Sequence, residues 1–126
     1  MATHKLLLLP GDGIGPEVMG EVQRLIDWLN KQGIASFETE QGLVGGSAYD
    51  AYKVSISEAD MDKAKAADAI IFGAPTYMGS VSAAFKKFMD DSSKAWFSST
   101  WKDKLAAGFT NSGSQSGDKL NSLIQL

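Results

Sequence analysis

The chain has 126 residues and a mass of 13.4 kDa, which is the size of a single domain. Hydrophobic residues make up 44 % and charged residues 21 %, no apolar run approaches the about 20 residues of a membrane span, and the net charge of −3 argues against nucleic-acid binding. The sequence has no cysteine, and His4 is its only histidine, which excludes thiolate chemistry, Ser-His-Asp catalysis and most zinc sites. We therefore expect no metal, no membrane and no nucleic acid as partners.

The first elements alternate between strand and helix. Residues 5–9 contain four consecutive leucines, which are typical of a strand buried on both faces. Residues 11–16 form a glycine-rich loop, and Pro16 fits the first turn of a helix. The apolar residues of this helix repeat at helical period: Val18, Val22, Leu25, Ile26 and Leu29. Gly33 ends the helix, and residues 34–40 alternate as an edge strand does.

The alternation continues to the end of the chain. Residues 41–56 have neither a helical nor a strand period and are predicted to form a long loop. Ser57 with Asp60 predicts the N-cap of a short helix that runs to about Ala66. The remaining predicted elements are a strand over 69–72, a helix over 81–89, a strand over 105–109 and the start of a helix over 119–126.

Strands that alternate with helices predict an α/β fold, a doubly wound three-layer sandwich with a parallel sheet. We expect the strand order 2-1-3-4, with the alternating strand over 34–40 at an edge and the apolar strands inside. Ligands of such sheets bind at the carboxyl ends of the strands. The loops at that end are residues 11–16, 75–80 and 111–118.

The first of these loops, GDGIGP, is a poor phosphate site. Pro16 has no N–H to donate, and Asp12 and Glu17 place negative charge where a phosphate would sit. The loop contains no Lys, Ser or Thr, so it is not a P-loop, and it does not fit GxGxxG. We interpret it as a tight structural turn, with phosphate binding as the alternative.

Residues 3–74 resemble the N-terminus of isopropylmalate dehydrogenase and its β-decarboxylating relatives. The resemblance rests on LLLLPGDGIGPEV and, further along, on VGGSAYDA. Those enzymes use NAD and a divalent metal, but the family's catalytic, metal-binding and substrate-binding residues come later in its sequence than this stretch. After Ala74 the family continues with a GG-x-x-W loop, whereas this chain has PTYMG. The resemblance therefore implies no dehydrogenase activity here.

The second and third loops carry groups that suit a planar ring. Residues 75–80 (PTYMGS) offer backbone amides, a hydroxyl, the flat Tyr77 and the polarizable Met78. Residues 111–118 add small polar side chains, and Trp96 and Trp101 lie between the two loops in the sequence. A flavin ring fits this chemistry, although ordinary surface turns and packed tryptophans fit it as well.

Residues 67–126 resemble a second family, the NAD(P)H:quinone oxidoreductase branch of the flavodoxin-like FMN proteins. The resemblance rests on GAPTYMGSVSAAFKKFMD, a following Trp, and TNSG after an apolar strand. It implies a site for the FMN ring, with Trp96 beside the ring. The implied cofactor-binding residues are Pro75, Thr76, Tyr77, Met78, Gly79, Ser80, Trp96, Asn111, Ser112, Gly113 and Ser114.

The chain departs from this second family in two respects. The family's phosphate loop is rich in Ser, Thr, Tyr and Gly, but GDGIGP stands in its place. The family also continues into a fifth strand and a last helix, which this sequence lacks. We therefore expect a truncated flavodoxin-like fold in which FMN binding is weak or absent.

The two resemblances meet within residues 67–75, at a strand that both families share. We interpret residues 1–126 as a single flavodoxin-like domain fused from two fragments, an engineered chimera with part of an FMN-ring site and no efficient catalysis. One alternative is an FMN-dependent NAD(P)H:quinone oxidoreductase, and another is a non-catalytic dehydrogenase fragment. From its parents, we expect the chain in the cytoplasm.

The apolar strand over 105–109 also predicts self-association. Without a fifth strand its edge is a template for another chain, so we expect a homodimer formed by edge pairing or by exchange of a C-terminal element. The competing expectation is a monomer whose C-terminal apolar residues fold back over the sheet. Those residues are Leu120, Leu123, Ile124 and Leu126.

Overall fold

The fold is that of a computed structural model, which describes residues 2–115 and 117–126. The strands in these ranges are β1 (Thr3–Leu9), β2 (Ser36–Gln41), β3 (Ala69–Gly73) and β4 (Leu105–Phe109). The helices are α1 (Gly15–Lys31), α2 (Gly45–Tyr52), α3 (Glu58–Ala66), α4 (Ala83–Asp91), α5 (Ser93–Phe97) and α6 (Leu120–Gln125). None of the helices in the described ranges combines the length and apolar character that crossing a membrane requires.

The four strands form one parallel sheet in the order β2-β1-β3-β4, as the sequence predicts. The central position of β1 and β3 follows from their composition, because residues 6–9 and Ile70 are almost completely buried. Polar β2 lies at one edge and apolar β4 at the other. The predicted α/β class and strand order are confirmed.

Alternate residues of the strands enter two separate core layers, because successive side chains point to opposite faces of the sheet. Leu7 and Leu9 of β1 pack with Phe72 of β3 and with Phe85 and Phe88 of α4. On the opposite face, the other two buried leucines of β1, Leu6 and Leu8, pack with Met19 and Ile26 of α1. The two layers make this a three-layer sandwich.

The prediction of a long loop over residues 41–56 is wrong, because α2 lies within it. The segment GGSAYDAY begins with two glycines. Because glycine has a low helix propensity, the local sequence does not predict a helix here. Its N-cap residue, Val44, makes no side-chain cap hydrogen bond. The cap comes instead from a side chain more than thirty residues earlier, described below.

The other helix boundaries agree with the sequence to within a few residues. Ser57 caps α3, where its hydroxyl accepts the Asp60 N–H at 3.1 Å. The predicted helix over 81–89 begins two residues later, because Ser82 is its N-cap and accepts the Phe85 N–H. The short α5 was not predicted.

Among the strands that the structure describes, only β3 pairs with β4, and the residues of β4 are mostly exposed. Leu105 and Phe109 lie on the same face of the sheet as α1, since they pair with Ala69 and Gly73 of β3. On that face α1 lies against β2 and β3, and Leu105 is 75 % exposed. Leu105 and Ala107 are therefore exposed on this face, whereas Phe109 is partly buried against the core layer.

Asp60 joins α3 to the segment that follows β2. It is only 4 % exposed, and its carboxylate accepts the Ser57 hydroxyl (2.9 Å), Lys63 Nζ (2.9 Å) and the Leu43 N–H (3.3 Å). Burial by itself raises the pKa of Asp60, but these hydrogen bonds outweigh burial and hold the pKa below its ordinary value. The ionised carboxylate is thus the form that the fold favours.

We expect Asp60→Asn to lower the free energy of unfolding at neutral pH by about 1–3 kcal/mol, because the buried hydrogen bonds lose their charged acceptor. A carboxyl whose pKa is lowered by folding stabilises the fold above its unfolded pKa of about 3.9, and this contribution disappears as the pH falls through the folded pKa. Urea denaturation across this range should show the difference between the two proteins shrinking at the acid end.

Asp62→Asn is the matched control. Asp62 also lies on α3, but it is exposed and pairs with the partly exposed Lys65 at 2.7 Å, so its loss should change stability little. Equal losses in the two variants would contradict the role given to Asp60, as would a difference between Asp60→Asn and the parent that persists at acid pH.

Candidate functional site

The loops that follow β1, β3 and β4 meet at the carboxyl end of the sheet. The first fits closely against β3, because Gly11 has a positive φ of 70° and a Cβ there would lie 2.1 Å from the Gly73 carbonyl oxygen. A Cβ at Gly15 would lie 1.8 Å from the Pro10 carbonyl oxygen. Only glycine fits these positions, so the loop packs as a tight turn.

The carboxylate of Asp12 caps α2. Its Oδ1 accepts the Ser47 N–H at 2.9 Å, and its Oδ2 accepts the Ser82 hydroxyl at 3.1 Å. A Cβ on either Gly45 or Gly46 would lie 2.7 Å from this carboxylate, so both glycines let it approach. Asp12 therefore supplies the anion that a helix N-terminus favours and also bonds to the N-cap of α4.

An open hollow of about 450 Å³ lies beside this loop. Its charged lining residues are Asp12 and Asp50, and no Lys or Arg is among the described residues that line it. Tyr77 closes one side, with its hydroxyl 2.6 Å from where a Cβ of Gly13 would be. The hollow is electrostatically unsuited to an anion.

Residues 77–80 make a two-residue turn at the tip of the second loop. The Tyr77 N–H donates to the Ser80 carbonyl at 2.7 Å, and the Ser80 N–H donates to the Tyr77 carbonyl at 3.0 Å. The central residues Met78 and Gly79 both have positive φ, 51° and 76°, which is the type I′ arrangement. The Met78 side chain is fully exposed and that of Tyr77 half exposed.

The hydroxyls of this second loop are bonded to the rest of the chain. Thr76 Oγ1 lies 2.6 Å from Thr110 Oγ1 and donates to the buried Ser122 hydroxyl at 3.0 Å. The Ser80 hydroxyl donates to Gln125 Oε1 at 3.2 Å. The side-chain amide of Asn121 donates to the Gly79 carbonyl at 3.0 Å. Helix α6 thus packs its polar side against the loop.

The third loop joins the second through one backbone bond, from the Thr76 N–H to the Asn111 carbonyl at 3.2 Å. The Ser112 hydroxyl donates to Asp118 Oδ1 at 2.9 Å and accepts the Ser114 N–H at 3.3 Å. Hydrogen bonds from Lys119 and then Ser112 hold the pKa of Asp118 below its ordinary value. Ser116, part of the predicted loop over 111–118, lies outside the described residues.

The structure thus brings the two predicted ring-binding loops together, and it places the remaining predicted residue elsewhere on the surface. Trp96 lies on α5, is 78 % exposed and packs edge-on against Phe97. It lines a groove that also contains Gln125 and Leu126 at the end of α6. Pro75 is buried beneath the turn, whereas Asn111, Gly113 and Ser114 are exposed.

The sequence reading missed the polar residues that hold the loops, namely Thr110, Asn121, Ser122 and Gln125. One signal was available: α6 places Leu120, Leu123 and Ile124 on one side, so its polar residues share another. That pattern gives no partner. The competing expectation that the C-terminal apolar residues fold back over the sheet holds for Leu126, which packs against the core, but not for the apolar residues of α6, which are exposed.

The arrangement fits only part of an FMN molecule. Tyr77, Met78 and the exposed backbone of the third loop offer a flat and mildly polar surface to a ring. The phosphate end does not fit, because the helix N-terminus beside the first loop already holds a carboxylate. In the described residues, no three His, Asp or Glu side chains converge as metal ligands.

Residues 5–86 match the isocitrate/isopropylmalate dehydrogenase family. The chain is 86 % identical over 74 residues to 3-isopropylmalate dehydrogenase 2 of Bradyrhizobium diazoefficiens. It is 78 % identical over 74 residues to 3-isopropylmalate dehydrogenase of Rhodopseudomonas palustris strain BisB18. Each match covers 59 % of this chain and 20 % of the relative, so the chain spans about a fifth of their length.

The chain belongs to the isocitrate/isopropylmalate dehydrogenase family. Its fold is nevertheless similar to that of the flavodoxin, WrbA-like protein from Agrobacterium tumefaciens, with a TM-score of 0.67 and 38 % identity. This likeness covers 98 % of the chain and 69 % of the solved protein. Both predicted resemblances and the flavodoxin-like fold are confirmed. The family match to dehydrogenases extends to residue 86, past the predicted junction at 67–75.

We expect Met78→Asn to raise the free energy of unfolding by about 0.5–1 kcal/mol, because Asn tolerates the left-handed backbone that position 78 adopts in a type I′ turn. The Met78 side chain is fully exposed, so no packing is lost. Met78→Leu is the control, since it keeps the unfavourable φ and should gain nothing. Chemical denaturation compares the three proteins, and equal midpoints would contradict the prediction.

Proposed function

We propose that the chain is an engineered chimera of two α/β fragments, a flavodoxin-like scaffold without efficient catalysis that retains weak affinity for the ring of FMN. The observation that carries this proposal is the position of the Asp12 carboxylate. It accepts the Ser47 N–H and the Ser82 hydroxyl at the end of the sheet where the ring loops also lie.

The chimeric origin is supported by the contrast between the comparisons. A stretch of 74 residues is 86 % identical to a dehydrogenase, yet the whole fold follows a WrbA-like flavodoxin. The central strand β3 pairs with β1 on one side and with β4 on the other. A shared strand at this place lets two fragments join with the same crossover geometry.

The core supports the same proposal. Leu7 and Leu9, from the dehydrogenase-like part, pack in one core cluster with Phe85 and with Phe88, which lies beyond the dehydrogenase family match. The two phenylalanine rings also contact each other, with centroids 5.3 Å apart. Such an interface requires apolar residues of suitable total volume more than it requires matched ancestry.

Weak flavin affinity follows from the energetics of the phosphate end. Hydrogen bonds to a charged group contribute about 1.5–3 kcal/mol each, and every 1.4 kcal/mol corresponds to about tenfold in affinity. A site that offers Asp12 and Asp50 in place of donors forfeits several such bonds. The ring loops retain backbone groups and exposed Tyr77 and Met78, which stack on any flat ring without high affinity.

Titration of the protein into FMN and into riboflavin, with flavin fluorescence as the readout, tests this proposal. We expect no quenching of either flavin at micromolar protein, weak quenching at higher concentration, and FMN bound no more tightly than riboflavin. A purified protein that is yellow and holds one FMN tightly per chain would contradict the proposal. That result would favour the alternative function, an FMN-dependent NAD(P)H:quinone oxidoreductase.

We expect Asp12→Asn to increase the affinity for FMN severalfold and to leave the affinity for riboflavin unchanged, because only FMN carries the repelled phosphate. The Asn side chain keeps an acceptor for the Ser47 N–H and can donate to Ser82, so the fold is preserved. Asp12→Ser should also improve FMN affinity, but it shortens the cap of α2 and should lower stability by about 1 kcal/mol.

Glu21→Gln removes the same charge from the exposed side of α1 and serves as the control for net charge. An equal gain in FMN affinity from Glu21→Gln would mean that overall charge, not the site, limits binding. No gain from Asp12→Asn would contradict the role assigned to its carboxylate.

A further inference from the structure

The outer edge of β4 carries backbone groups that are available for pairing. On the inner edge, the Leu105 N–H donates to the Asp68 carbonyl at 3.3 Å, and the Phe109 carbonyl accepts the Ala74 N–H at 3.1 Å. Because alternate residues of a strand turn their backbone groups to opposite edges, Ala106 and Gly108 direct theirs outward. These groups face the side of β4 on which no strand of the described residues lies.

This edge lacks the features that keep a strand from pairing. Residues 105–109 contain no proline and no charge, and three of them are Ala or Gly, so another backbone can approach closely. Lys104 is the adjacent cation, but its Nζ donates to the carbonyls of Ala67 at 2.5 Å and Lys65 at 2.8 Å. Its ammonium group is therefore bound within its own chain and does not oppose the pairing of β4 with another strand.

Apolar surface flanks the edge on both faces of the sheet. On the α1 face Leu105 is 75 % exposed and Ala107 is also exposed. On the other face Leu126 packs into the core and lies against Gly108. Beside it, the apolar side of α6 is exposed: Leu120, Leu123 and Ile124. Apart from Leu126, a single chain leaves these apolar side chains in water.

We propose that β4 pairs antiparallel with the β4 of a second copy, which forms a two-fold symmetric dimer with one continuous sheet. The two-fold axis passes beside Ala107, so that Ala106 of each copy opposes Gly108 of the other and about four backbone hydrogen bonds form. Leu105 then lies opposite Phe109 of the partner subunit, a favourable aliphatic–aromatic pair. Lys104 lies opposite the partner's Thr110, so no like charges meet.

The same symmetry relates the two α6 helices. Both helices lie on the face of the sheet that carries Gly108, because Leu126 follows α6 and contacts that residue. In the dimer the sheet is continuous across β4, so the two α6 helices lie on the same face of that sheet. The dimer closes without a growing edge.

Other contacts between two copies are less favourable. Face-to-face packing would press the outer side of α1, with Glu17, Glu21 and Arg24, against the apolar surface of β4, at a cost in desolvation. Exchange of α6 would break its bonds to Thr76, Gly79 and Ser80 in its own chain before new ones form. Edge pairing requires neither loss.

Light scattering coupled to size exclusion, at high micromolar concentration, should give the mass of a dimer. Ala106→Pro removes an outward N–H without touching the bonds to β3 and should weaken the dimer by at least about 100-fold, to a monomer. Ala106→Val keeps the N–H and should remain a dimer. Circular dichroism establishes that each variant is folded.

A second variant tests the same contact in case Ala106→Pro fails to fold. Ala107→Lys places an exposed cation next to its own copy across the axis and should also give a folded monomer, whereas Ala107→Ser should remain a dimer. Leu25→Lys alters the exposed flank of α1 and should leave the dimer intact. The proposal is overturned if the parent protein is a monomer, if the dimer survives both Ala106→Pro and Ala107→Lys, or if Leu25→Lys alone dissociates it.

Discussion

The carboxylate of Asp12 is the interaction on which the carboxyl end of the sheet depends. It lies in the turn after β1, caps α2 and bonds to the N-cap of α4, and so it links elements from both resemblances. A carboxylate at a helix N-terminus is stabilised by the N–H groups and the helix dipole. The same stabilisation makes the position unavailable to a phosphate. One carboxylate therefore links these elements at this end of the fold, and under the proposed function its charge also disfavours a phosphate there.

The backbone of the first turn imposes a second constraint. Gly11 and Gly15 bring the chain so close to Gly73 and Pro10 that no side chain fits between them. Since Gly73 ends β3, the turn fixes the end of the strand at which the two family patterns meet. Under the proposed chimeric origin, the polypeptide after Gly73 would start from the same place whichever family supplied it, because the turn and β3 fix that point.

Most of the fold could be predicted from local patterns, because short runs of apolar residues indicate which segments are buried. The leucines of residues 6–9, the Ser57 cap and the stripe on α1 are each visible within a few residues. Helix α2 was not predictable, because its cap comes from Asp12, which lies 35 residues before Ser47. The hydrogen bonds from α6 to the second loop join residues more than forty positions apart in the sequence, so no local pattern predicts them.

The orientation of α6 connects the candidate site to the edge of β4. An amphipathic helix normally buries its apolar side, but here the polar loop over 75–80 offers hydroxyl and carbonyl partners, and Asn121, Ser122 and Gln125 bind them. The hydroxyls of Thr76 and Ser80 are therefore used within the chain, and the leucines of α6 are left exposed. If Ser122 and Gln125 were replaced by residues that bind these hydroxyls less strongly, the hydroxyls of the loop would be available to a ligand and α6 would be held less firmly against the loop. If both proposals hold, ligand affinity at the loop and burial at the edge are coupled through one helix of six residues.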